Sequence, residues 1–267
     1  MHRFLCLCLL SVFFYGSKGH CQATEPTHLS VIYNTIHVVD TTAPEKPQKY
    51  QSILRIGKTH HAFSNYDAEK SELRYKQFLE KNPNLDIKIS GRTEFFGAPY
   101  LFFQNRSDQK FFSIAKLQDV TYAIEENYSV PKWLVSSDTK TISGFECQKA
   151  TTELNGRLWE AWFSPQLAYP LGPWKLGGLP GLILEAYDSQ QEIKFSFASL
   201  DDTSTTAIVF PKNTTSTTLK KLNQTIQALG NGAGMGATNG AIMMVQGGGA
   251  GSQTKRIQFN NLLEKKY

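Results

Sequence analysis

The chain has 267 residues, with 28 basic and 23 acidic side chains and a formal net charge of +5. That length suits one large domain or two small ones, and four cysteines exclude a disulfide-dense scaffold. Apolar residues at 40% and charged residues at 19% exclude a charged disordered tail, and 12% aromatic residues promise a core rich in rings.

The first 23 residues read as a secretory signal peptide. Arg3 supplies the positive start, Leu5 to Tyr15 is a short apolar run, and Gly16, Ser17 and Gly19 are the small residues a cleavage site needs. Cleavage after Gly19 or after Ala23 fits equally well, and the context of Cys21 is poor for lipidation. Removing Arg3 and Lys18 leaves 26 basic residues against 23 acidic ones, a net +3. So weak a charge, with no Lys/Arg cluster, argues against a nucleic-acid surface. No later apolar run is long enough for a transmembrane helix. Cys147 is the one cysteine expected in the mature chain. The expected location is the periplasm or cell envelope, with residues 24–267 forming a single domain.

Along the chain, Leu29 to Val39 is β-branched and aromatic and is predicted to be a strand, as are Gln51 to Ile56 and His61 to Tyr66. Asp67 offers an N-cap for a helix from Ala68 to Lys81, stopped by Asn82-Pro83. Glu94 to Gln104, Lys110 to Leu117 and Val120 to Glu125 are further strand candidates. Thr152 to Phe163 reads as a hairpin turning at Asn155-Gly156, the pair that favours a type I′ turn. Leu182 to Leu184 enters a buried strand that ends near Asp188. Ile193, Phe195 and Phe197 alternate with Lys194 and Ser196 at a period of two. Leu219, Leu222, Ile226 and Leu229 share a helical face, predicting a helix over 217–229. Many short strands with few helices imply a mainly β (α+β) fold: a strongly curved antiparallel sheet or open barrel with one or two helices packed against it. Gly230 to Gly251 holds nine of the 20 glycines and reads as a flexible insertion. Gly232, Gly234 and Gly236 lack the spacing of a dinucleotide cradle, and no His or Cys accompanies Met235, Met243 and Met244 to bind copper.

Chemistry-bearing residues are few. His60 and His61 are neighbours and so point to opposite faces of a strand. With Cys147 and an acid, one of them could complete a metal or thiol site, although the spacing does not require it. The alternative for Cys147 is a small buried apolar residue. The motifs H-E-x-x-H and G-x-S-x-G are absent. No cofactor is expected.

The stretch Leu171 to Asp188, LGPWKLGGLPGLILEAYD, is the most unusual. Gly177, Gly178 and Gly181 around Leu179-Pro180 allow positive φ and close backbone approach. The loop is either a glycine-rich corner of a sheet or a lip over a pocket or partner site. Its sequence from Gly178 to Ile183 spells GLPGLI. Ile142 to Ala150 (ISGFECQKA), Gly156-Arg157 followed by Ala161 to Pro165, and Gly172 to Leu176 extend the likeness. The chain thereby resembles the GLPGLI (Porph_ging) family of exported Bacteroidota proteins, over about residues 130–200. The resemblance implies export and an unassigned activity, so it carries over no catalytic residue. It marks Cys147, Arg157, Trp162, Gly172, Pro173, Lys175, the GLPGLI loop and Asp188 as family features.

Three functions follow as expectations. The first is a non-enzymatic binding protein for a hydrophobic ligand or an envelope partner, with Arg157, Trp162, Trp174, Lys175, Leu179, Pro180 and Asp188 as candidate contacts. It expects an apolar concavity lined by Trp162, Trp174 and Leu179. The second is a thiol- or metal-dependent enzyme centred on Cys147 with a histidine. The third is a surface-assembly component held through an exposed sheet edge.

Overall fold

The computed structural model describes residues 24–83, 95–96, 99–107, 109–117, 120–201, 206–232 and 242–243. The strands are β1 (Thr24–Glu25), β2 (Leu29–His37), β3 (Gln48–Ile56), β4 (His60–Asn65), β5 (Phe95–Phe96), β6 (Pro99–Asn105), β7 (Lys110–Leu117), β8 (Val120–Asn127), β9 (Leu134–Ile142), β10 (Phe145–Leu154), β11 (Arg157–Ser164), β12 (Leu182–Asp188), β13 (Ile193–Asp201), β14 (Ile208–Val209), β15 (Thr214–Thr217) and β16 (Ile242–Met243). The helices are α1 (Tyr66–Lys81) and α2 (Leu219–Gly232).

Twelve strands form one curved, open sheet in the order β15-β8-β7-β6-β4-β3-β2-β13-β12-β11-β10-β9. Every pairing in it is antiparallel except β15 on β8. Register shifts at Gln148/Ala150, Trp162/Phe163 and Phe197/Ser199 put irregularities into three successive parts of the sheet, and such bulges bend strands and increase twist. The mainly β architecture matches the expectation, as an open curved sheet and not a barrel.

The residue pattern explains the two faces. In β2, Val31, Tyr33 and Thr35 are buried while Asn34 between them is exposed. The same alternation carries Phe63, Phe102, Phe111 and Phe195 into the main core, together with Trp159 and Trp174. A smaller apolar cluster forms around Phe103 and Phe112, capped by Phe210, whose ring meets each of them edge-on at 5.1 Å. Helix α2 covers Ala115, Leu117 and Ile124 with Leu222, and Leu219 packs beside it.

Helix α1 differs from its prediction at the start. Asn65, not Asp67, is the N-cap, accepting from the Ala68 N–H at 2.9 Å. Asp67 instead accepts from the Gln51 N–H at 2.7 Å. No residue of α1 is buried; Glu69 docks it by taking both Arg55 guanidinium nitrogens, at 2.7 and 3.1 Å. The strand predicted over 94–104 is divided into β5 and β6. The hairpin is as read: Asn155 and Gly156 have φ of +50° and +77° between β10 and β11, which is the type I′ requirement. The sequence reading missed β9, whose Ser-Ser-Asp-Thr-Lys centre lacks apolar alternation.

Residues 1–23, the predicted signal segment, lie outside the described residues. Of the predicted insertion at 230–251, the first residues belong to α2, and Ile242–Met243 pair with Phe95–Phe96; the remainder is outside the described residues. Among the described residues, no helix is long and apolar enough to cross a membrane.

Candidate functional site

The corner between β11 and β12, residues 165–181, is built by its own backbone. The Leu182 N–H donates to Leu167 O at 2.9 Å, Ile183 N–H to Leu171 O at 3.0 Å, and Gly178 N–H to Pro170 O at 2.9 Å. Gly181 lies so close to β11 that a Cβ there would sit 2.2 Å from Ser164 O. From outside the loop, Trp133 Nε1 donates to Gly177 O at 2.8 Å and Tyr33 Oη donates to Ile183 O at 2.8 Å. Trp174, Leu176 and Leu179 enter the main core and are at most 2% exposed; Pro180 stays outside.

Rings then run through the core as a chain of contacts. Trp174 meets Trp159 at 5.6 Å between centroids, Trp159 stacks on Phe195 at 6.2 Å, and Phe195 meets Phe63 edge-on at 5.8 Å. Phe63, Phe102, Phe111 and Tyr128 continue it. Lys175 closes the circuit, its ammonium 5.2 Å from the Phe111 centroid and 5.7 Å from that of Trp174. It donates to Glu126 on β8, which also accepts from Ser113 Oγ. The loop therefore joins two distant parts of one sheet. The expected apolar concavity lined by Trp162, Trp174 and Leu179 is not formed by them: Trp174 and Leu179 pack as core.

Arg157 and Asp188 are brought together. Arg157 Nη1 donates to Asp188 Oδ2 at 2.5 Å and to Glu192 Oε2 at 2.9 Å. The other Asp188 oxygen accepts the Glu192 and Ile193 N–H groups at 2.8 and 3.1 Å. Both carboxylate oxygens are occupied, which is how a buried charge is tolerated. The arrangement pins the β12–β13 turn.

Trp162, 9% exposed, is also buried in the main cluster, but its ring underlies a polar face across β9–β13. It pairs with Lys149 and Glu185 in the sheet register. Lys140 Nζ lies over its ring at 4.3 Å and is 2.9 Å from Glu185. Trp162 Nε1 donates to Glu160 at 3.1 Å, Lys149 pairs with Glu160 at 2.7 Å, and Tyr187 Oη donates to the same carboxylate. Burial raises the Glu160 pKa, but the hydrogen bonds from Lys149 and Tyr187 outweigh it and leave the carboxyl below its usual range. Its hydrogen bond raises the pKa of Lys149 in return. The result is an indole ringed by fixed ammonium, carboxylate and phenol groups. Sequence reasoning missed Lys140, Lys149, Glu160, Glu185 and Tyr187. The signal was the spacing of two between Glu160 and Trp162, which puts them on one strand face.

Cys147 is 1% exposed. Burial pushes its thiol pKa up, and its Sγ approaches Phe145 O at 3.5 Å. The histidines lie on β4, which five strands separate from β10 in the sheet order. His60 Nδ1 is 2.6 Å from Glu25, which also accepts from Thr59. His61 is buried; burial first, then the Arg106 charge, push its pKa down to about 4. His60 thus pairs with Glu25 and His61 with Gln104, and neither is joined to Cys147. Among the described residues, no group of three or more His, Cys, Asp or Glu side chains is arranged to hold a metal ion.

A family model described as the N-glycanase peptide, N-terminal domain, matches residues 93–225, just under half of the chain. The chain is similar to two solved structures of PNGF-II, from P21 and C2 crystals, with 18% and 17% identity and TM-scores of 0.47 for both. The matches cover 73% and 74% of this chain; it spans about a third of theirs, 33% and 32%. No curated protein matches the chain. These findings correct the family resemblance read from the sequence: the matching model is the N-glycanase domain, not the GLPGLI family. The physical reason lies in the corner itself. Gly178 needs a φ of +86° and Gly181 needs contact with Ser164 O, so the glycines of that motif answer to backbone geometry.

Proposed function

We propose that the chain is an exported, non-catalytic binding module directed at N-linked glycans or the proteins that carry them, and that the polar face around Trp162 is its recognition surface. The observation that carries this reading is the N-glycanase N-terminal domain model over residues 93–225, a span that includes β9 to β13. The chemistry of the face supports it. Sugars offer hydroxyls that both donate and accept, and Glu160, Glu185, Lys140, Lys149 and Tyr187 provide acceptors and donors around one indole. Trp162 serves as the apolar floor that holds the lysines in place, with a cation–π contact above it. Export rests on the signal-like residues 1–23. A hydrophobic ligand is the weaker occupant, because Trp174 and Leu179 are consumed in the core.

The test is calorimetric titration of the purified chain with an asparagine-linked N-glycan and with the same peptide unglycosylated. Binding of the glycan form alone, weakened about tenfold by Lys149→Ala (about 1.4 kcal/mol), is the expected result. Equal behaviour of both peptides overturns the reading.

A further inference from the structure

The sheet ends at β9, and among the described residues β9 pairs with β10 alone. Its nine residues make it the longer of the two terminal strands, since β15 at the opposite end has four. An unpaired strand presents backbone donors and acceptors that can template another strand.

The turn determines which groups face outward. Ile142 and Phe145 flank the two-residue turn Ser143–Gly144, whose φ values are +49° and +88°. The pair that closes such a turn is hydrogen-bonded. Alternation then makes Cys147 and Lys140 a hydrogen-bonded pair, and the N–H and C=O groups of Thr139 and Thr141 point away from β10.

The side chains select a partner. Asp138 is exposed and stands two residues before Lys140 on β9, a spacing that puts both side chains on one strand face. Lys149 shares that face, since its ammonium and that of Lys140 both lie over the Trp162 ring. We propose that β9 pairs antiparallel with β9 of a second copy of this chain, about a two-fold axis at Thr139, giving a continuous sheet across the dimer. In that register the Thr139 groups hydrogen-bond across the axis, and Asp138 of each copy faces Lys140 of the other. These facing positions are the non-hydrogen-bonded pairs, where side chains come closest. The two neighbouring registers are disfavoured: an axis at Asp138 opposes two carboxylates, and an axis at Lys140 opposes two ammonium groups. Lys140 has three donors, so it keeps Glu185 on its own chain while taking Asp138.

This inference does not depend on glycan binding, and its test needs no glycan. Sedimentation equilibrium of the full chain up to about 100 µM, a range chosen for interfaces of modest affinity, is expected to give a dimer. Asp138→Lys should weaken it at least tenfold by opposing ammonium groups, and Asp138→Lys with Lys140→Asp should restore it. Thr139→Pro removes an outward N–H that the monomer does not use, and it should abolish the dimer with circular dichroism unchanged. A monomer throughout, or a dimer indifferent to both Asp138→Lys and Thr139→Pro, overturns the proposal.

Discussion

Arg157 and Asp188 meet at 2.5 Å with both side chains almost wholly excluded from solvent. Asp188 follows the buried run of β12 and Arg157 opens β11, so the pair ties the start of one strand to the end of its neighbour. It also holds the backbone of the β12–β13 turn through Asp188 Oδ1. The pair reads as an organiser of the scaffold.

Arg157→Ala is therefore expected to cost about 3 kcal/mol, because it strands a buried carboxylate. Urea denaturation checks it. A loss below about 0.5 kcal/mol, as for a surface pair, would refute the buried-pair account.

Gly181 of the corner and Gly144 of the β9–β10 turn should differ sharply in tolerance. Gly181→Ala drives a methyl against Ser164 O and C, backbone atoms that cannot rotate away, and should cost about 3 kcal/mol or more. Gly144→Ala meets nothing within 4 Å and has only its positive φ to contend with, so about 1–2 kcal/mol is expected. Thermal melts of the two variants decide the order.

Stability should fall with acid in two stages. The His61 pKa is depressed from 6.5 to about 4, so the unfolded chain binds the extra proton first. Its contribution is intact above pH 6.5 and is lost as pH falls towards 4. Burial alone would raise the Glu25 pKa, but hydrogen bonds from Thr59 and His60 bring it from 4.5 down to about 2; its contribution is present above 4.5 and is lost towards 2. Denaturation midpoints measured across pH 7 to 2 should flatten in the upper window for His61→Phe and in the lower for Glu25→Gln.

Cys147 should resist alkylation in the native protein and react fully in denaturant, as its burial and raised pKa require. Rapid native labelling by iodoacetamide, followed by mass spectrometry, would reopen a thiol chemistry.

Much of the fold was legible because its strands are half-buried. Phe195 with Lys194, and Asn155-Gly156 between two aromatic strands, announce period and turn directly. Asp188 pairs with Arg157, while Lys175 pairs with Glu126. Less visible were features set by long-range register. Glu126 lies 49 residues from Lys175, and no local pattern links them. Among the described residues β9 has a strand neighbour on one side alone, which suits its polar Ser-Ser-Asp-Thr-Lys centre. Trp174 and Trp162 are both buried in the main cluster, yet Trp162 also underlies a polar face of Lys140, Lys149 and Glu185, which only the pairing of β10, β11 and β12 brings around it.

The proposed recognition of N-linked glycan by the face around Trp162 rests on contacts that can be mapped residue by residue. Its most direct measurement is an amide chemical-shift map of the chain titrated with an N-linked glycopeptide. Shifts are expected to concentrate on β9 to β12 around Lys140, Lys149, Glu160 and Trp162, with the 165–181 corner unmoved. Absence of shifts, or shifts confined to another face, would contradict it.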